Sequence, residues 1–104
     1  MALDRIATLR ALISKAPQDP FPRYGLAMEF KSRDDLTSSL AAFEELIAAF
    51  PAYVPSYLMA GGVAAKLGDR DHARALFERG IAAAAAAGDS HARGELETAL
   101  AEVP

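Results

Sequence analysis

The chain has 104 residues, no cysteine and a net charge of −3. That length bounds it to one domain, which buries about 65% of its unfolded surface and should fold without staples. The absence of thiols rules out disulfides and thiolate metal sites and suits a reducing compartment. Lys and Arg scattered under a negative balance exclude a duplex nucleic-acid binder, which needs a concentrated basic face. Alanine inflates the 52% apolar content and only 8% is aromatic, which suits closely packed helices; strand signals are absent.

The opening run, MALDRIATLRALISKAP, predicts a helix over about Ala2 to Lys15. Charges interrupt its apolar stretch, so it is not expected to act as a signal peptide. Leu3, Ile6, Leu9, Leu12 and Ile13 spread over an arc of roughly 180°, wider than the ~100° that one buried face needs. The surplus makes Leu3 and Ile6 candidates for a self-association surface. Pro17, Pro20 and Pro22 end this helix and start the next, since proline fits only the first turn. The second helix, about Pro20 to Ser32, should bury Leu26, Ala27 and Phe30 and turn Tyr24, Met28 and Lys31 to another face.

The turn Arg33-Asp34-Asp35 gives an acidic start to a third helix, about Asp35 to Ala49, striped by Leu36, Leu40, Phe43, Leu46, Ile47 and Phe50 and ended by Pro51. A fourth helix begins at Val54 or Pro55 and carries Gly61-Gly62 mid-helix. Each of these glycines costs ~1 kcal/mol against alanine. Close approach of a neighbouring helix backbone at Gly61 is the expected compensation. Gly68-Asp69 then forms a turn, with Gly68 suited to the left-handed conformation and Asp69 to capping. The fifth helix, about Arg70 to Ala87, should bury Ala73, Leu76, Phe77 and Ile81 and ends in polyalanine, a run too short and too weakly apolar to span a bilayer. Past Gly88, with Asp89 or Ser90 as cap, a last helix shows the narrow stripe Ala92, Leu96, Ala99, Leu100 and Val103. Its remaining faces carry Arg93, Glu95, Glu97 and Glu102, as a C-terminal capping helix would.

No set of residues amounts to chemistry. His72 and His91 stand at predicted helix starts, and neither has a second His or Cys at ligand spacing. The carboxylate pairs Glu44-Glu45, Glu95-x-Glu97 and Asp69-x-Asp71 read as caps or solvated faces. There is no Walker loop, nucleophile elbow or Gly-rich dinucleotide turn. The expectation is of no enzyme activity, no catalytic residue, no metal and no cofactor.

Superposing the chain on itself at an offset of 34 aligns Phe77 with Phe43 and Leu9, Ile81 with Ile47 and Ile13, and Ala85 with Pro51 and Pro17. Two-copy columns pair Gly61 with Ala27, Ala60 with Leu26 and Ala73 with Ser39. A 34-residue helix-turn-helix unit resembles the tetratricopeptide repeat, whose signature runs W-x2-L-G-x2-Y, then A-x3-F, then P. Tyr57, Ala60, Gly61, Ala64, Ala73, Phe77 and Ala85 fill those slots in one copy. Arg23, Leu26, Ala27, Phe30, Ser39, Phe43 and Pro51 fill them in the other.

The resemblance implies an all-α fold of antiparallel helix-turn-helix repeats in a short right-handed solenoid of about six helices. Residues 1–19 would be half a repeat, 20–53 and 54–87 two repeats, and 88–104 a capping helix. It also implies a protein that binds a peptide or helix of a partner in a concave groove; without a signal peptide or a span, the sequence reads as a small cytoplasmic protein, bacterial in style. The groove residues it assigns are Tyr24, Met28, Lys31, Leu58, Gly62 and Lys66, mainly apolar with a basic rim. Members that hold chaperone tails grip a terminal carboxylate with Lys and Asn at first-helix positions, where Tyr24, Met28, Leu58 and Gly62 stand here. The alternative is a self-associating protein, a homodimer through the first helix or the groove. An accessory subunit of an enzyme complex is a distant third. Neither nucleic acid nor membrane is an expected partner.

Overall fold

The computed structural model describes residues 4–104, which form six helices and no strand. They are α1 Arg5–Lys15, α2 Pro20–Ser32, α3 Leu36–Ala49, α4 Pro55–Lys66, α5 Arg70–Ala87 and α6 Ser90–Glu102. Each helix packs on its successor, most extensively α2 on α3 and α4 on α5, and α4 also touches α6. The result is an elongated helical repeat, 44 × 29 × 19 Å. No helix among the described residues is long and apolar enough to cross a membrane.

Local chemistry sets the boundaries. Asp4, Asp19, Asp35, Asp69 and Asp89 are N-caps whose carboxylates accept backbone amides of the first turn. Each such cap contributes about 1 kcal/mol. Asp4 starts the first helix at Arg5 rather than near Ala2, and Leu3 lies outside the described residues. At the other ends, Gly68 and Gly88 adopt left-handed φ values of 83° and 69°. Asp34, standing 34 residues before Gly68, takes the same conformation at φ 61° although it is not glycine.

The core follows the predicted stripes. Ala27, Phe43, Leu46, Ile47, Tyr57, Ala60, Val63, Leu76, Phe77 and Leu96 are buried together, and Leu26 is buried apart from that cluster. Phe30 and Ile81 are half-buried and pack against this core instead of being sealed within it. Ser39 is fully buried and donates to the Ala27 carbonyl at 2.8 Å, tying α3 to α2. The Tyr57 hydroxyl donates to the Pro51 carbonyl at 2.5 Å, and Arg79 lies 5.8 Å from the Tyr57 ring centroid.

Gly61 is a close-packing position, but its neighbour is a side chain and not the helix backbone expected from sequence. A Cβ there would stand 2.6 Å from Phe77 Cδ1 and 2.7 Å from Cζ. Gly80, which the sequence pattern does not single out, makes a second such point: a Cβ would meet Tyr57 Cβ at 2.5 Å and Leu96 Cδ2 at 2.9 Å. These two contacts seat α5 between α4 and α6. At the N-terminal end α1 contributes no buried residue and rests chiefly on α2. Arg5 pairs with Glu29 at 2.9 Å across that contact. Leu12 remains 45% exposed and Phe21, at the start of α2, 68%.

Candidate functional site

A concave cavity of about 350 Å³ opens where α2, α4 and α6 face one another. Its α4 wall is Val54, Pro55, Leu58 and Met59; α2 contributes Tyr24; α6 contributes Asp89, His91, Ala92, Glu95 and Leu96. Proline at the first turn directs α4 across the cavity floor and costs nothing there, because that N–H has no helical partner. Gly88 ends α5 and Asp89 starts α6, its Oδ1 accepting from the Ala92 amide at 3.0 Å. The cap therefore fixes the direction in which His91 and Glu95 project.

Of the six groove residues assigned from sequence, Tyr24 and Leu58 meet on this cavity. Met28, Lys31 and Gly62 are half-buried but do not line it. Lys31 Nζ lies 3.8 Å from Met59 Sδ, so that pair carries the α2–α4 side of the concavity onward. Lys66 is exposed at the far end of α4. The α1 residue Ile6 is half-buried, and Leu12 is the more open apolar side chain of that helix.

Tyr24 is less free than a groove residue need be. Its ring stands edge-on to Phe43 at 6.0 Å and to Tyr53 at 5.9 Å. Burial, and then neighbouring Tyr53, raise its phenol above the ordinary value of 10.0. Tyr24 thus joins groove to core, and a charge placed there would disturb the fold as well as the surface. Leu58 is the cleaner probe of the cavity.

The sequence reading missed the α6 wall and Met59. Glu95, read there as part of a solvated face, lines the cavity with His91, whose Nε2 is 3.4 Å from Glu95 Oε1. The usable signal was the order of elements: α6 follows Gly88-Asp89 as α5 follows Gly68-Asp69, and it packs on α5 as α4 packs on α3. His72, at the start of α5, pairs through its Nε2 with Glu44 of α3. That contact links α3 to α5. Among the described residues no group of three or more His, Asp or Glu side chains is placed to hold a metal ion.

No protein-family model matches the sequence, and no curated protein matches it. Solved structures do. The chain is similar to a tetratricopeptide repeat domain protein from Salinibacter ruber solved in solution, at 36% identity over 84% of this chain and 88% of that one, TM-score 0.79. A crystal structure of a tetratricopeptide repeat domain protein from the same organism matches at 35% identity over 82% and 96%, TM-score 0.77. A protein from Bordetella parapertussis shares the fold at 23% identity over 99% and 89%, TM-score 0.80.

Proposed function

The chain belongs to the tetratricopeptide repeat family, and on that premise we propose that it is a protein-interaction scaffold holding a segment of a partner polypeptide between α2, α4 and α6. In this reading 20–53 and 54–87 are its two repeats, 1–19 is half a unit before them, and 88–104 supplies the closing helix. The observation that carries the proposal is the cavity. A single chain leaves Leu58, Met59 and Tyr24 partly open at the bottom of one concavity, walled by a third helix. An apolar concavity with a few polar groups at its edge is the usual form of a binding site. A partner's aliphatic or aromatic side chain buried there would contribute ~1.5–3 kcal/mol.

The test is selection of binders from a displayed random peptide library, followed by titration of the selected peptides against wild type and Leu58→Glu. Circular dichroism first establishes that the variant melts as a folded protein. Loss of the anchor should weaken binding by about 10- to 100-fold, since each ~1.4 kcal/mol is tenfold. Unchanged affinity would place the binding surface elsewhere.

A second reading is favoured by one observation of its own. Because α1 has no buried residue and leaves Leu12 open, with Phe21 at the start of α2 also open, this edge is a surface on which a second copy could pack.

A further inference from the structure

The charges around the cavity are one-sided. Its lining includes two carboxylates, Asp89 and Glu95, and no Lys or Arg. The titratable groups facing it are Tyr24 from α2 and Asp89, His91 and Glu95 from α6, while α4 presents only Val54, Pro55, Leu58 and Met59. Arg23 and Lys31, the cations of α2, do not line the cavity, and Lys31 sets its Nζ against Met59 Sδ. An apolar floor under an anionic wall rejects an acidic segment, because a carboxylate entering it would be desolvated beside like charge.

We propose that the groove selects a peptide segment in which an aliphatic or aromatic anchor is followed closely by Lys or Arg. The anchor lies on Leu58 and Met59, and the cationic head reaches the Glu95 carboxylate. This rests on the groove reading above and adds to it the chemistry of the occupant. Long basic side chains suit the site, since they can lay their methylene stem along apolar surface and keep the charge at its edge. A cavity of about 350 Å³ has room for an anchor and part of such a stem, not for a whole helix.

Glu95 is the leading carboxylate for two reasons. Asp89 already uses Oδ1 to cap α6 and offsets the positive end of that helix, where a cation is disfavoured. Glu95 lies in the second turn, beyond most of that field, and its side chain is half exposed at 51%, so it can reorient. Its present neighbour is the His91 ring, which an incoming guanidinium or ammonium would displace.

The experiment reads charge bias in the selected library peptides, with wild type, Leu58→Glu and Glu95→Lys as baits. For wild type, Lys and Arg should be enriched within two residues of the apolar anchor. The same peptides should lose about tenfold in affinity for Glu95→Lys. They should also weaken as ionic strength rises from about 0.05 to about 0.5 M, where the screening length shortens. Peptides selected anew on Glu95→Lys should keep the apolar anchor and exchange basic for acidic neighbours. Peptides that depend on Leu58 but show no charge bias, or tolerate Glu95→Lys, would overturn this proposal and leave the groove standing. Peptides indifferent to both substitutions, or a library that yields no binder, would overturn both.

Discussion

Gly61 and Gly62 occupy adjacent interior positions of α4, so alanine should bring the same helix-propensity gain, ~1 kcal/mol, at each. Their surroundings differ. A Cβ at Gly62 meets nothing within 4 Å, whereas one at Gly61 enters the Phe77 ring. That ring is 3% exposed and has no open side into which to turn. Overpacking of this kind costs about 1–3 kcal/mol. Because the propensity gain cancels between the two sites, the stability difference between Gly62→Ala and Gly61→Ala measures the overpacking alone. At about 4–8 °C per kcal/mol for a domain near this size, Gly62→Ala should melt above wild type and Gly61→Ala at least 4 °C below Gly62→Ala. Thermal and urea unfolding followed by circular dichroism supply the values. In a Phe77→Leu background the gap should narrow, giving a coupling of about 0.5–3 kcal/mol. Gly61→Leu, with a branched side chain at the same point, should unfold the domain. If Gly61→Ala melts as high as Gly62→Ala, the packing account of this glycine is wrong.

The raised Tyr24 phenol makes stability depend on alkaline pH: keeping it protonated contributes fully below its unfolded value of 10.0 and is lost as pH rises through the higher folded value. Wild type should therefore lose more stability than Tyr24→Phe above about pH 10, and parallel pH curves would refute the assignment. Asp34→Gly should stabilise the domain by about 0.5–1 kcal/mol, since glycine removes most of the left-handed strain and gives back part of the gain as unfolded-chain entropy. A lower midpoint in urea would show that the Asp34 side chain has a compensating role. If the α1 edge joins two copies, sedimentation velocity should show a concentration-dependent dimer in wild type that Leu12→Lys abolishes, whereas a wild-type monomer at millimolar concentration would remove the second reading.

What the sequence made legible is what local chemistry controls. Proline at residues 20 and 55, aspartate before three of the later helices and glycine at 68 and 88 place the turns, and apolar spacing places the stripes. The 34-residue offset also sets Tyr24 and Leu58 in equivalent positions, and they do share a cavity. The remainder is non-local. Glu95 falls at the offset position of Ala27 and Gly61, so α6 lacks the small residue that α2 and α4 carry there. A wall glutamate and a solvated glutamate look alike until the helix has a neighbour. The partner of Gly61 is a ring sixteen residues on, in the next helix, and Glu44 meets His72 across two. Asp34 hides its left-handed turn because the pattern there shows no glycine.

The most direct test of the binding surface is amide chemical-shift mapping of the uniformly labelled protein during titration with a library-selected peptide. The largest perturbations should fall on Leu58, Met59, Ala92 and Glu95, with Tyr24 at their edge and the α1 amides unmoved. Perturbations gathered on α1, or on the alanine face of residues 82–87, with a silent α4 and α6, would contradict the account.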